Sequence, residues 1–230
     1  MKPLILLNAD VERESAYPSL RVRLPAAYGD AVAECDAVPM VVSPTLPPAA
    51  LQAAVARADG VLFIGGRDYP PAWYGEPPHA ETREMSAARA AADHLLAAAA
   101  LARSIPILGV CGGHQLLVLA CGGRLIQHLP QAESHTGNRR HAITIRGGRI
   151  LREIFGETRV EVNSYHHQAA CAEAFDAGLQ VTARADDGVI EGVEGTDPAR
   201  FLLGVQWHPE RMEESHRRAL FGAFVHACRP

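Results

Sequence analysis

The sequence predicts an α/β fold: a mostly parallel central sheet between two helical layers, with a small antiparallel extension. Three observations carry that expectation. Continuously apolar runs of strand length alternate with helix-length segments through the first half of the chain, the pattern of strands buried on both faces of a parallel sheet. The second half changes to short strand candidates with tight connections. No linker, repeat or low-complexity tract interrupts the 230 residues. Residues 1–230 therefore read as one domain, a length that suits a single large core.

Leu4 to Leu7 is the first buried strand, and Tyr28 to Cys35 is helical. Pro39 to Ser43 is the second strand. Ala49 to Ala58 is a helix entered through Pro47-Pro48, since proline suits a first helical turn. Val61 to Ile64 is the third strand and ends at Gly65-Gly66. Arg83 to Arg103 is a long alanine-rich helix. Ile105 to Val110 is the fourth strand, followed by a helix from His114 to Cys121. Then come strand candidates at His141 to Arg146, Arg159 to Val162, Leu179 to Ala183, Val189 to Val193 and Phe201 to Gln206. A closing helix runs from about Arg211 to Ala227. The polar stretch Gln131 to Arg140 reads as an exposed loop.

The apolar fraction of 48% is that of a globular protein. The formal charge of −4 gives no reason to expect nucleic acid or a membrane surface as partner. The N-terminal apolar run is too short for a signal core, and Arg89, Asp93 and His94 break the alanine stretch from Ala87 to Ala102. A cytoplasmic location is expected. Five cysteines, an odd number, show no paired spacing and are expected as free thiols. Cys35, Cys121, Cys171 and Cys228 read as packing residues.

Cys111 is different. Gly109-Val110-Cys111-Gly112-Gly113-His114-Gln115 follows one apolar run and opens another, which makes a strand, a sharp turn and a helix. The thiol sits at the tip of that turn over a helix N-terminus, where the helix field favours a thiolate. The arrangement has the mechanics of a nucleophile elbow. The N–H of Gly112 then faces the oxygen of an attacked carbonyl. Farther on, His208 follows the strand ending at Gln206. Glu210, two residues on, projects to the same side of an extended chain and can orient the imidazole. Gly66, after the third strand, lies on the same sheet edge and offers a second N–H to the oxyanion.

A metal site is the chemical rival. Cys111, His114 and Cys121 match no zinc spacing, and His166-His167, if adjacent on a strand, would point to opposite faces. No phosphate loop or dinucleotide fingerprint is present. Neither metal nor cofactor is expected.

Cys111-Gly112-Gly113-His114-Gln115, together with Gly204-Val205-Gln206-Trp207-His208-Pro209-Glu210, resembles the class I glutamine amidotransferase superfamily. Gly65-Gly66-Arg67-Asp68-Tyr69-Pro70, Trp73-Tyr74-Gly75-Glu76 and Val162-Asn163-Ser164-Tyr165-His166-His167-Gln168 narrow the resemblance to its gamma-glutamyl hydrolase branch, which includes gamma-glutamyl-GABA hydrolase. These blocks span nearly the whole chain. In that branch Arg commonly follows the cysteine; here Gly112 stands there.

The resemblance implies a flavodoxin-like three-layer sandwich and a Cys-His-Glu triad of Cys111, His208 and Glu210. It assigns the N–H groups of Gly66 and Gly112 to the oxyanion. Gln115, Tyr165 and His166 would hold a γ-glutamyl moiety; a structural contact at the elbow is the other reading for Gln115, and a packing role for Tyr165 and His166. Asp68 and Glu76 would shape loops. The implied activity is hydrolysis of a small γ-glutamyl amide through a cysteine thioester, releasing glutamate and an amine. Two alternatives stand beside it: a glutaminase subunit delivering ammonia to a partner synthetase, and a non-catalytic binding protein on the same fold. The expected partner is a small-molecule substrate, with a homodimer left open and a synthetase only under the first alternative.

Overall fold

The computed structural model describes residues 1–13, 19–156, 158–171 and 178–229. In chain order, β1 (Leu4–Leu7) leads to an antiparallel pair, β2 (Asp10–Arg13) and β3 (Leu20–Arg23). Then come α1 (Ala26–Glu34), β4 (Val38–Val41), α2 (Pro48–Arg57), β5 (Gly60–Phe63), α3 (Ala87–Ala102), β6 (Ile107–Val110) and α4 (Gly112–Ala120). The second half comprises β7 (Leu125–Ile126), α5 (Ala132–His135), β8 (Arg139–Ile145), α6 (Ile150–Phe155), β9 (Arg159–Ser164), β10 (Ala169–Ala170), β11 (Leu179–Ala185), β12 (Ile190–Gly195), β13 (Leu202–Val205) and α7 (Glu214–Ala227).

Nine strands form one sheet in the order β4-β1-β5-β6-β13-β12-β11-β8-β9. The first five are mutually parallel, and the remaining pairings are antiparallel. Side chains alternate across the pleat. Ile5 and Leu7 pack with α1, α6 and α7 on one face; Leu6 packs with α2, α3 and α4 on the other. β5, β6 and β13 are buried at every position, as the continuously apolar runs require. β4 and β5 flank β1 on opposite sides. The strand order thus reverses at β1, and a crevice opens there at the carboxyl ends of the strands.

Several boundaries differ from the sequence expectation for physical reasons. α3 starts at Ala87 because Ser86 caps it, its hydroxyl accepting from Arg89 N at 3.2 Å. Residues 83–85 are instead held extended by Asp68, which exchanges backbone bonds with Arg83 and Met85. α7 starts at Glu214 because Pro209–Arg211 forms a single 3₁₀ turn first. The stretch 131–140 is not simply an exposed loop. It contains α5, with Ala132 and His135 buried. The β2–β3 pair was not expected, because its charged, mostly exposed residues carry no core pattern.

Candidate active site

Three strand ends build the site. Cys111 ends β6, Gly65-Gly66 follows Ile64 at the end of β5, and His208 stands three residues beyond β13. β5 and β13 both flank β6 in parallel, so all three termini share one sheet edge.

The elbow at Cys111 is strained. Its φ is 51° and its ψ −104°, a region costly for any residue with a side chain. Glycine surrounds it of necessity. A Cβ on Gly113 would stand 2.1 Å from the Phe63 carbonyl oxygen, and one on Gly109 would stand 2.5 Å from that of Gly113. A Cβ on Gly112 would come within 3.0 Å of the Gly66 nitrogen. The two candidate oxyanion donors are therefore neighbours.

His208 Nδ1–H donates to Glu210 Oε1 at 2.7 Å, and the carboxylate is fully buried. That bond leaves Nε2 for the sulfur. Burial by itself lowers the His208 pKa. The charge of Cys111, a hydrogen bond with it and the contact with Glu210 outweigh burial and push the value up to about 10. The ring is held from every side. Asn163 clamps the backbone, donating to His208 O at 2.9 Å and accepting from His208 N at 2.8 Å. Tyr165 meets the ring edge to face, with centroids 5.3 Å apart, and Arg211 lies 4.7 Å above the Tyr165 ring. Tyr28 Oη lies 3.3 Å from His208 Nδ1 and accepts from Gly65 N at 3.1 Å. Burial, with the charges of Glu210 and Cys111, keeps that phenol neutral by raising its pKa well above the ordinary value.

The thiol has its own support. Gln206 Nε2 donates to Cys111 Sγ at 3.6 Å. Gln115 Nε2 in turn donates to Gln206 Oε1 and to Gln168 O, both at 3.2 Å. The Gly65-Gly66 turn rests on a buried network. Asn8 accepts from Ile64 N at 2.8 Å and donates to Asp93 at 2.8 Å; Asp93 also receives Tyr69 Oη at 2.7 Å and Arg89 Nε at 2.5 Å.

A cavity of about 320 Å³ opens over the sulfur. Its walls include Cys111, His208, Gly66 and Tyr165, with Asp10, Glu12 and Arg23 from the hairpin, and Arg67 and Arg211. The arrangement suits nucleophilic attack by sulfur on a small ligand carrying both charges. The structure brings Cys111, Gly66, Gly112, Tyr165, His208 and Glu210 together at one sheet edge. Two candidate substrate contacts fall elsewhere. Gln115 lies behind the thiol with its amide nitrogen committed. His166 is buried and turned away, its Nδ1–H donating to Gln168 O at 2.9 Å. Asp68 and Glu76 tie loops together, Asp68 accepting from Arg83 N and Glu76 from Gln127.

Sequence reasoning missed Tyr28, Asn163 and Gln206 as site residues. Asn163 and Gln206 lie inside recognised blocks, so their company was a usable signal. Tyr28 lies in a helix with no motif around it. The hairpin charges were missed with the hairpin.

A parallel sheet edge bearing a thiol elbow beside a buried His–Glu pair defines a glutamine-amidotransferase-like α/β protein. Among solved structures, the chain superposes on a glutamine amidotransferase from Methylobacillus flagellatus with a TM-score of 0.62 at 18% identity, covering 92% of this chain and 72% of that one. Residues 3–210 match the Peptidase C26 family, and the chain belongs to it. A Mycobacterium tuberculosis protein with a provisional glutamine amidotransferase name is 35% identical over 237 residues, 99% of this chain and 75% of that one. Protein NtpR of Enterococcus hirae is 34% identical over 87% of each chain. The gamma-glutamyl-gamma-aminobutyrate hydrolase PuuD of Escherichia coli is 30% identical, covering 87% of this chain and 84% of its own.

Proposed function

We propose that the protein hydrolyses the γ-glutamyl amide bond of a small γ-glutamyl compound through a thioester on Cys111. The observation that carries this reading is the convergence of Cys111, His208 and Gly66 on one cavity, with Glu210 bonded to His208 and Gly112 beside Gly66. Cys111 as thiolate attacks the amide carbonyl, and the N–H groups of Gly66 and Gly112 stabilise the oxyanion. The C–N bond breaks as His208, charged and oriented by Glu210, gives its proton to the leaving amine. Neutral His208 then takes a proton from water, which attacks the thioester and releases glutamate.

A γ-glutamyl group carries an α-carboxylate and an α-ammonium. Arg67 and Arg211 suit the first; Asp10 and Glu12 suit the second. Gly112 stands where the hydrolase branch commonly has Arg, so the acyl group is proposed as γ-glutamyl and GABA is not singled out as the leaving amine. No helix among the described residues is long and apolar enough to cross a membrane, and the substrate is proposed to be a small molecule.

Glutamate release from a panel of γ-glutamyl amines tests this reading, with Cys111→Ala as control. Turnover by wild type and its loss in the variant are expected. Turnover that survives Cys111→Ala would remove the thioester from the scheme. The amidotransferase names among the relatives support a second reading, in which ammonia from glutamine passes to a synthetase on another chain. Glutaminase activity that requires such a partner, with no turnover of γ-glutamyl amines alone, would favour it.

A further inference from the structure

A second cluster lies apart from the thiol, around Glu191 on β12. Its carboxylate is fully buried, and three imidazoles converge on one of its oxygens. His141 Nε2 from β8 lies 3.2 Å from Glu191 Oε1, His166 Nε2 3.3 Å and His135 Nδ1 from α5 3.5 Å. Yet neither Glu191 oxygen, neither His141 nitrogen, nor His166 Nε2 makes a hydrogen bond. A fully buried carboxylate is costly unless its neighbours supply positive charge.

The other ring nitrogens explain the approach. His135 Nε2–H donates to Asp187 Oδ2 at 2.8 Å, and His166 Nδ1–H donates to Gln168 O at 2.9 Å. The carbonyl fixes the His166 tautomer and turns its Nε2 toward Glu191, while His135 Nδ1 faces Glu191 at 3.5 Å. The Ser164 hydroxyl donates to His135 O at 2.9 Å and lies 3.4 Å from His135 Nδ1. The cluster calls for positive charge between these groups, supplied by protons on the imidazoles or by a metal ion in their place. A carboxylate or backbone carbonyl behind a ligating imidazole is the usual support of a metal-bound histidine.

The spacing fits such an ion. Four ligands at about 2.0–2.1 Å from a tetrahedral centre are separated by about 3.3–3.4 Å, and His141 and His135 lie 3.2 and 3.5 Å from Glu191 Oε1. Donor atoms of His135, His141 and Glu191 all lie within 4.8 Å of one another. A cavity of about 160 Å³, lined in part by Ser134, His135, His141, Asp186 and Asp187, adjoins them. It offers an access path and room for water on the outer side.

We propose that His135, His141 and Glu191 bind one divalent transition-metal ion of the zinc class, with His166 set against the same carboxylate oxygen. Imidazole donors select such ions over magnesium. The site touches no reacting atom. It would join α5, β8 and β12 to the segment 164–168, whose Tyr165 packs on His208 and whose Gln168 carbonyl receives Gln115. The ion would act as a structural clamp behind one wall of the cavity.

The test uses the full-length protein stripped with a chelator and titrated with zinc chloride. Calorimetry and elemental analysis are expected to give one zinc per chain, with a rise in Tm of several degrees on saturation and no response to magnesium chloride. X-ray absorption of the zinc-loaded protein should show nitrogen and oxygen ligands without sulfur, which separates this site from the free thiols. His141→Asn, at a half-buried position, and Glu191→Gln should each weaken zinc binding at least tenfold with unchanged far-UV circular dichroism. Absence of stoichiometric binding, a sulfur ligand, or affinity unchanged in folded His141→Asn would overturn the proposal. None of these measurements reads turnover, so the result is independent of the proposed hydrolase.

Discussion

The charge state of one imidazole governs the chemistry proposed for this site. His208 is held protonated up to about pH 10, although its burial alone would favour the neutral ring. A raised histidine pKa means the proton is present below that value and lost as pH rises through it. Acylation needs that proton for the leaving amine. Activity of the wild type is therefore expected to fall on the alkaline side near pH 10. Glu210→Gln removes one of the causes that raise the value, so its alkaline limb should move to lower pH. A pH profile of kcat/KM checks this, and an unmoved limb would mean that Glu210 does not act on the ring.

At the scale of elements, the site depends on β9 meeting the end of β13. Asn163, buried on β9, bonds both the N–H and the C=O of the His208 backbone. Asn163→Ala leaves the buried His208 N–H without a partner, at a cost of about 1–3 kcal/mol, while His208 O keeps its bond from Arg211 N at 3.1 Å. A lower midpoint in urea is expected, together with a kcat loss larger than any change in KM, because the base shifts and the charged cavity walls do not. An equal loss in Asn163→Asp, which keeps an acceptor for His208 N–H, would argue against this account of the clamp.

The same scale shows what could be read in advance. The parallel strands were legible because burial on two faces demands unbroken apolar runs, as in Val61-Leu62-Phe63. The elbow was legible because the steric room at positions 109 and 113 admits only glycine. The β2–β3 hairpin was not legible, since its exposed charges answer to a cavity that exists only after folding. His135 was assigned to a polar loop because its burial depends on Glu191, 56 residues away. Tyr28 reaches the site across 180 residues of sequence, and no local pattern records such a contact.

Across the molecule, one buried ion pair ties the switch point of the sheet to the helical layer. Arg89 and Asp93 are almost wholly inaccessible, and through Asn8, Tyr69 and Ile64 they join α3 to the ends of β1 and β5. Removing one partner strands the other charge. Asp93→Ala is expected to destabilise the fold by about 3–5 kcal/mol, whereas replacing both residues with apolar side chains of similar volume should restore much of that loss. Equilibrium denaturation of the single and double variants tests the contrast. A double variant no more stable than Asp93→Ala would assign the cost to lost packing and not to the stranded charge.

The left-handed backbone at Cys111 has a consequence for how such a chain drifts. Holding a side chain in that conformation costs of the order of 1–3 kcal/mol. Glycine would hold the same shape without penalty. Cys111→Gly is thus expected to melt at a higher temperature than the wild type while being unable to form a thioester, and a thermal melt beside a turnover assay measures both. A lineage selected only for heat resistance would be drawn toward a sturdier and inert relative of this protein. The sulfur persists at that corner only while something in the cell depends on the reaction.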